Sequence, residues 1–157
     1  MSLAGLGYGG AVQPVGTAQT STNGNRVDSD YGAIDEWYVN GPGGLEQGFT
    51  VAPLPQSDAA GSLTVELALG GDLTATVNPA GDGLALTRPD GSAALGYTGL
   101  VACDAAGKAL PASLEVRADG GRQELLIHVN AAGAQGPDHH RSVPAGSQAH
   151  CVRWCGA

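Results

Sequence analysis

A chain of 157 residues has room for one domain, and 26 glycines, 9 prolines and only 14% charged residues disfavour a helical bundle, which draws on Glu, Lys and Leu. With 15 acidic against 7 basic residues and a net charge of −8, it lacks the clustered cations that nucleic acid or an anionic membrane surface requires. No apolar run approaches the roughly 18 residues of a membrane-spanning helix, so no membrane insertion is expected.

Residues 1–24 are rich in Gly, Ala, Thr, Ser and Asn and predict an extended, mobile lead-in, with Leu6, Tyr8 and Val12 docking on the domain. From Arg26 the pattern changes. Ile34, Glu36 and Tyr38 alternate with Asp35, Trp37 and Val39, which predicts a strand with both faces partly covered. Asn40-Gly41-Pro42-Gly43-Gly44 then forces a turn, and Leu45, Gln47, Phe49 and Val51 share one face of a second strand. The pair is expected to be a hairpin with a loop of about five residues.

The alternation is sharper further on. Leu63, Val65, Leu67 and Leu69 alternate with polar or small residues, and so do Leu73, Ala75 and Val77, the pattern of strands with one buried and one wet face. Gly70-Gly71 between them predicts a two-residue hairpin turn. Leu84 and Leu86, the run from Ala94 to Cys103, the strand of Leu114 and Val116, and the strand of Leu125, Ile127 and Val129 follow, with turn signals every 8–12 residues or so. The fold class expected is all-β, an antiparallel β-sandwich of about nine short strands over residues 25–136. Residues 137–157 hold three of the 4 His and two of the 3 Cys without alternation, and predict an irregular tail.

The usual catalytic motifs (GxSxG, HExxH, the P-loop, GxGxxG in context) do not occur, so no catalytic residues are assigned and the chain is not expected to be an enzyme. Asp35, Glu36 and Glu46 flank the aromatic segment and make a pair of working carboxylates conceivable, but acids beside a turn ordinarily cap backbone or meet solvent. His128, opposite the Leu125/Ile127 face, is expected to point to solvent. Trp37, Tyr38 and Phe49 have two readings, a core anchor or a carbohydrate-stacking platform. Acidic turns at Asp28-Ser29-Asp30, Asp82-Gly83, Asp90-Gly91 and Asp104 make calcium the one cofactor worth weighing, with Asp28 and Asp30 the metal candidates, although Asp-Gly pairs are also good turn chemistry. His139, His140, His150, Cys151 and Cys155 include zinc-ligand types, but at a spacing that fits no standard finger, and a Cys151–Cys155 disulfide or a free thiol is the preferred reading. Cys103, at a strand end, reads as a small buried hydrophobe.

Four stretches, LGYGGAVQPV, GNRVDSDYGAIDEWYVNGPGGLEQGFTV, YTGLVACDAAGKALPASLEV and LLIHVNAAGAQGP, give the chain a resemblance. It resembles, over roughly residues 5–137, an amino-terminal domain of large secreted bacterial proteins that carry FG-GAP (integrin-like propeller) repeats. The resemblance implies a secreted, non-catalytic β-domain of structural or adhesion type ahead of a repeat array, with downstream propeller repeats or another chain as partner. The alternative kept open is a carbohydrate- or calcium-dependent binding module. The opening MSLAGLGYGG has neither the basic nor the apolar region of a signal peptide, and the resemblance implies that a leader has been removed. Beyond Gly136 the chain departs from the family. A GC-rich back-translation of Pro137 to Ala157 can be chosen whose neighbouring frame reads into the family's continuation, so a frameshift near Gly136 is expected. The domain would then lack its final strand and expose a sheet edge that favours pairing with another chain or oligomerisation.

Overall fold

A computed structural model describes residues 1–52, 62–134 and 150–156 of the protein. Its strands in chain order are β1 (Ser2–Tyr8), β2 (Ala11–Pro14), β3 (Gln19–Asn23), β4 (Arg26–Asp30), β5 (Ile34–Gly41), β6 (Gly44–Val51), β7 (Ser62–Leu69), β8 (Thr74–Val77), β9 (Leu84–Thr87), β10 (Ala93–Asp104), β11 (Ala109–Leu110), β12 (Ala112–Asp119), β13 (Arg122–Asn130) and β14 (His150–Gly156). No helix occurs among the described residues, and every strand pairing is antiparallel. The expected all-β, sandwich-like class is therefore the observed one, with fourteen strands among the described residues in place of about nine.

Two sheets form. One has five strands in the order β12-β13-β7-β1-β2, and the other runs β3-β4-β5-β6-β14-β10-β9-β8 with β11 joined to β10. Their inner faces share one core. Ile34, Phe49 and Val51 come from the larger sheet, and Leu63, Val65, Leu67, Leu125, Ile127 and Val129 from the smaller. Each is essentially without solvent exposure, and burial of such a side chain is worth about 1.5–3 kcal/mol. The period-2 alternation in β7 and β13 brings these residues to one face, and a one-residue slip would move all of them out of the shared core to the opposite face.

The first 24 residues are not a mobile lead-in. β1 lies inside the smaller sheet, paired with β7 on one side and β2 on the other, and buries Leu3 and Leu6. The composition that suggests looseness serves close approach instead. A Cβ at Gly5 would run into Val12 Cγ1, and one at Gly7 into the Ala11 backbone. Two turns also differ from expectation. Gly41 pairs directly with Gly44, so the β5–β6 loop is the two residues Pro42 and Gly43 rather than five. Gly70-Gly71 does not close a hairpin, because β7 belongs to the smaller sheet and β8 to the larger. At the crossing, the Gln123 side chain of β13 donates to Leu73 O at 2.7 Å and accepts from Ala75 N at 2.9 Å, acting as a one-residue partner for the start of β8.

The tail is not irregular throughout. His150–Gly156 forms β14, which pairs along its length with β6 and with β10. Residues 137–149, with His139, His140 and the expected frame change near Gly136, lie outside the described residues.

Candidate functional site

Alternation along β5 splits its polar and aromatic residues between two environments. Glu36 and Tyr38 face the interior with Ile34, while Asp35, Trp37 and Val39 face outward. Trp37, Tyr38 and Phe49 therefore form no common platform. Phe49 is fully buried in the core, and Trp37 lies on the other face of the sheet.

Inside, Glu36 anchors a polar cluster. Glu36 is 5% exposed and Gln47, from β6, is 0% exposed. Tyr38 OH donates to Glu36 Oε1 at 2.8 Å, and Gln47 Nε2 donates to Glu36 Oε1 and to Tyr38 OH, both at 2.7 Å. Among the described residues, Gln47 Oε1 has no hydrogen-bond partner. Burial, reinforced by the Glu36 carboxylate, holds the phenols of Tyr31, Tyr38 and Tyr97 above the ordinary tyrosine range. Burial alone pushes Tyr8, whose hydroxyl is also without a partner among the described residues, up to about 12. These phenols stay protonated at physiological pH, and that of Tyr38 donates to the sealed Glu36 carboxylate.

Outside, Arg26 of β4 covers Trp37, its guanidinium carbon 4.7 Å from the ring centroid. Arg26 also grips Asp28, with Nε at 2.8 and 2.9 Å from the two carboxylate oxygens and Nη2 at 2.6 Å from Oδ1. That bond raises the Arg26 pKa further above its ordinary value. Asp28 is thus engaged by a cation, and Asp30 Oδ1 accepts from Gly32 N at 2.6 Å to shape the turn into β5. Asp35 stands directly opposite Asp30. Partial burial, then the Asp30 carboxylate, raises the Asp35 pKa. Among the described residues, no group of three or more His, Cys, Asp or Glu is placed to hold a metal ion. The other acidic turns are capped in the same manner. Asp82 accepts from Asn78 Nδ2, Asp90 from Ser92 N, and Asp104 from Ala106 N and Lys108 N.

The three acids read as possible working carboxylates do not converge. Glu36 points inward and Asp35 outward. Glu46 faces Val39, four residues along β5 from Asp35 and so roughly 13 Å away.

One constellation escapes a linear reading. On the outer face of the smaller sheet, Thr64 Oγ1 lies 3.2 Å from His128 Nδ1, and His128 Nε2 lies 2.9 Å from Glu115 Oε2. Glu115 also accepts from Arg117, and these two partners, Arg117 first, lower its pKa. Instead of standing free in solvent, His128 links three strands. A hydroxyl, an imidazole and a carboxylate in this order have the form of a nucleophilic relay. However, Thr64 is 4% exposed and sits on a strand paired on both sides, so its hydroxyl is hidden and the neighbouring backbone amides are committed to the sheet. The arrangement holds strands in register. No sequence signal marks it, since the three residues become neighbours only through the order β12-β13-β7.

A cleft of about 420 Å³ lies where Met1 and Ser2 meet Leu69, Arg122 and Glu124, and no residue of either cluster lines it. Comparison of the chain with protein-family models, with curated proteins and with solved structures gave no match.

Proposed function

We propose that the protein is a non-catalytic structural or adhesion-type β-module that acts outside the cell, ahead of a repeat array, as its resemblance to the FG-GAP-associated domains implies. The observation that carries this reading is the internal use of its reactive side chains. Glu36, Tyr38 and Gln47 bond to one another in the sandwich, and Arg26 closes over Trp37. Side chains engaged in this way specify a fold and leave ligand recognition to the backbone edges.

Of those edges, β3 is the most open. Gln19–Asn23 is exposed at all five positions and carries no charge, proline or bulge. The opposite sheet's edge strand β12 carries Glu115 and Arg117, β2 ends in Pro14, and β8, at the far edge of the same sheet as β3, buries Ala75 and is met at its start by the Gln123 side chain. An unguarded polar edge is the surface on which another chain adds a strand.

The test uses the full chain and its Trp37→Ala variant on a glycan array and in calcium titration. The structural reading expects no saturable glycan or calcium binding by the parent, and a large loss of folding stability in the variant. A glycan signal from the parent that disappears in a still-folded variant would replace this reading with a carbohydrate-binding module.

A further inference from the structure

We infer that Cys103, a free thiol in this structure, stands where it can form a cross-strand disulfide with Cys151 that fastens β14 to β10. The two residues are direct partners in the β10–β14 register. Directly opposed residues of an antiparallel pair have Cα atoms about 4.5–5.5 Å apart and lie on the same face, inside the roughly 4.4–6.8 Å window that a disulfide spans. The alternative bond is excluded by the same strand. Cys155 stands opposite Thr98, four residues along β14 from Cys151. Four residues of extended chain cover roughly 13 Å, about twice what a disulfide reaches. Cys103 is therefore the cysteine that faces Cys151 across the ladder, and of the two sequence readings, a Cys151–Cys155 bridge or a free thiol, the bridge does not fit the strand.

The position makes the bond consequential. Among the described residues, β6 and β10 are joined through β14 in the order of the larger sheet. A link at Cys103–Cys151 ties the strand that unites the two halves of that sheet to one of them. Cys103 is half-buried, so a small disulfide can reach it. In the step, one cysteine attacks oxidised glutathione as the thiolate, forming a mixed disulfide and releasing one glutathione thiolate. The second cysteine then displaces the other glutathione. Two protein thiols lose two protons and two electrons, and one small disulfide becomes two thiols. This inference does not depend on the proposed adhesive role.

The experiment incubates the native full chain with oxidised glutathione, blocks the remaining thiols, and digests with trypsin. Cleavage after Arg153 separates Cys151 from Cys155, so the three possible bridges give different fragments. The expected result is a fall from three titratable thiols to one, a linked pair of fragments containing Cys103 and Cys151, and Cys155 recovered alone in blocked form. The melting midpoint should rise by about 5–15 °C over the reduced chain. Cys155→Ser keeps both the link and the rise, and Cys103→Ser loses both. A Cys151–Cys155 bridge, covalent dimers only, or an unchanged thiol count in the native chain would overturn the inference, and each is readable on the parent protein even where a variant fails to fold.

Discussion

Trp37 and Gly48 stand directly opposite each other across β5 and β6, and the indole lies over the glycine where a side chain would otherwise project. A Cβ at position 48 would collide with Trp37 Cζ2 and Cε2. Arg26 closes the other side of the ring. Gly48→Ala should therefore lower stability by about 1–3 kcal/mol in urea unfolding, the usual cost of overpacking. Gly43→Ala, in open space one turn away, should cost less than ~1 kcal/mol. Equal losses at the two sites would show that the indole does not hold this position.

The inner cluster predicts a second loss. Tyr38→Phe removes the hydroxyl that donates to Glu36 and accepts from Gln47 while keeping the ring. A buried carboxylate loses one donor, and a drop of about 1.5–3 kcal/mol is expected with unchanged strand content by circular dichroism. A variant as stable as the parent would mean that water replaces the hydroxyl.

Asp35 and Glu115 predict opposite pH behaviour. Burial and the Asp30 carboxylate raise the folded-state pKa of Asp35. Its stabilising contribution is full below the unfolded pKa of about 4 and is lost as pH rises through the raised folded value. Asp35→Asn should thus gain stability at pH 7, by less than ~1 kcal/mol because the group is partly solvated, and the gain should vanish near pH 3. Glu115 is depressed by Arg117 and His128. Its contribution is present above the unfolded value and fades as pH falls through the lower folded one, so Glu115→Gln should lose stability at neutral pH and match the parent in acid. Urea midpoints at the two pH values check both signs.

Gln123 predicts a dynamic change. Its amide is the partner of Ala75 N and Leu73 O where the chain crosses between sheets. Gln123→Ala should cost about 1–3 kcal/mol and speed exchange of the Ala75 amide well before the global unfolding limit. Unchanged exchange at Ala75 would show that this end of β8 is held by other contacts.

Much of this architecture was legible in residue order. The alternation of Leu63, Val65 and Leu67, and of Leu125, Ile127 and Val129, correctly marks two strands and their buried face. The shared face of Leu45, Gln47, Phe49 and Val51 was also readable, although Leu45, at the start of the strand, is exposed. Turn chemistry alone did not reveal partners. Gly70-Gly71 looks like a hairpin, yet β7 finds β1 and β13 instead, because its apolar face must meet theirs. The glycines of β1 read as looseness, since a sequence does not show that Val12 needs the space above Gly5. His128 illustrates the remaining gap. Its bonds to Thr64 and Glu115 span residues far apart in the chain and follow from strand order, which no local pattern encodes.

The place of β14 also sets a timetable for biosynthesis. Val51 and His150, paired in the finished sheet, are 150 − 51 = 99 positions apart. At ribosomal rates of roughly 5–20 residues per second, the free side of β6 waits about 5–20 s for its neighbour. During that interval the nascent chain carries an unpaired strand that cannot be satisfied by anything yet made. The smaller sheet, complete at Asn130, can form first and shield its apolar face against the waiting half. For as long as β14 is unmade or unpaired, the free side of β6 is the edge most open to non-native strand pairing.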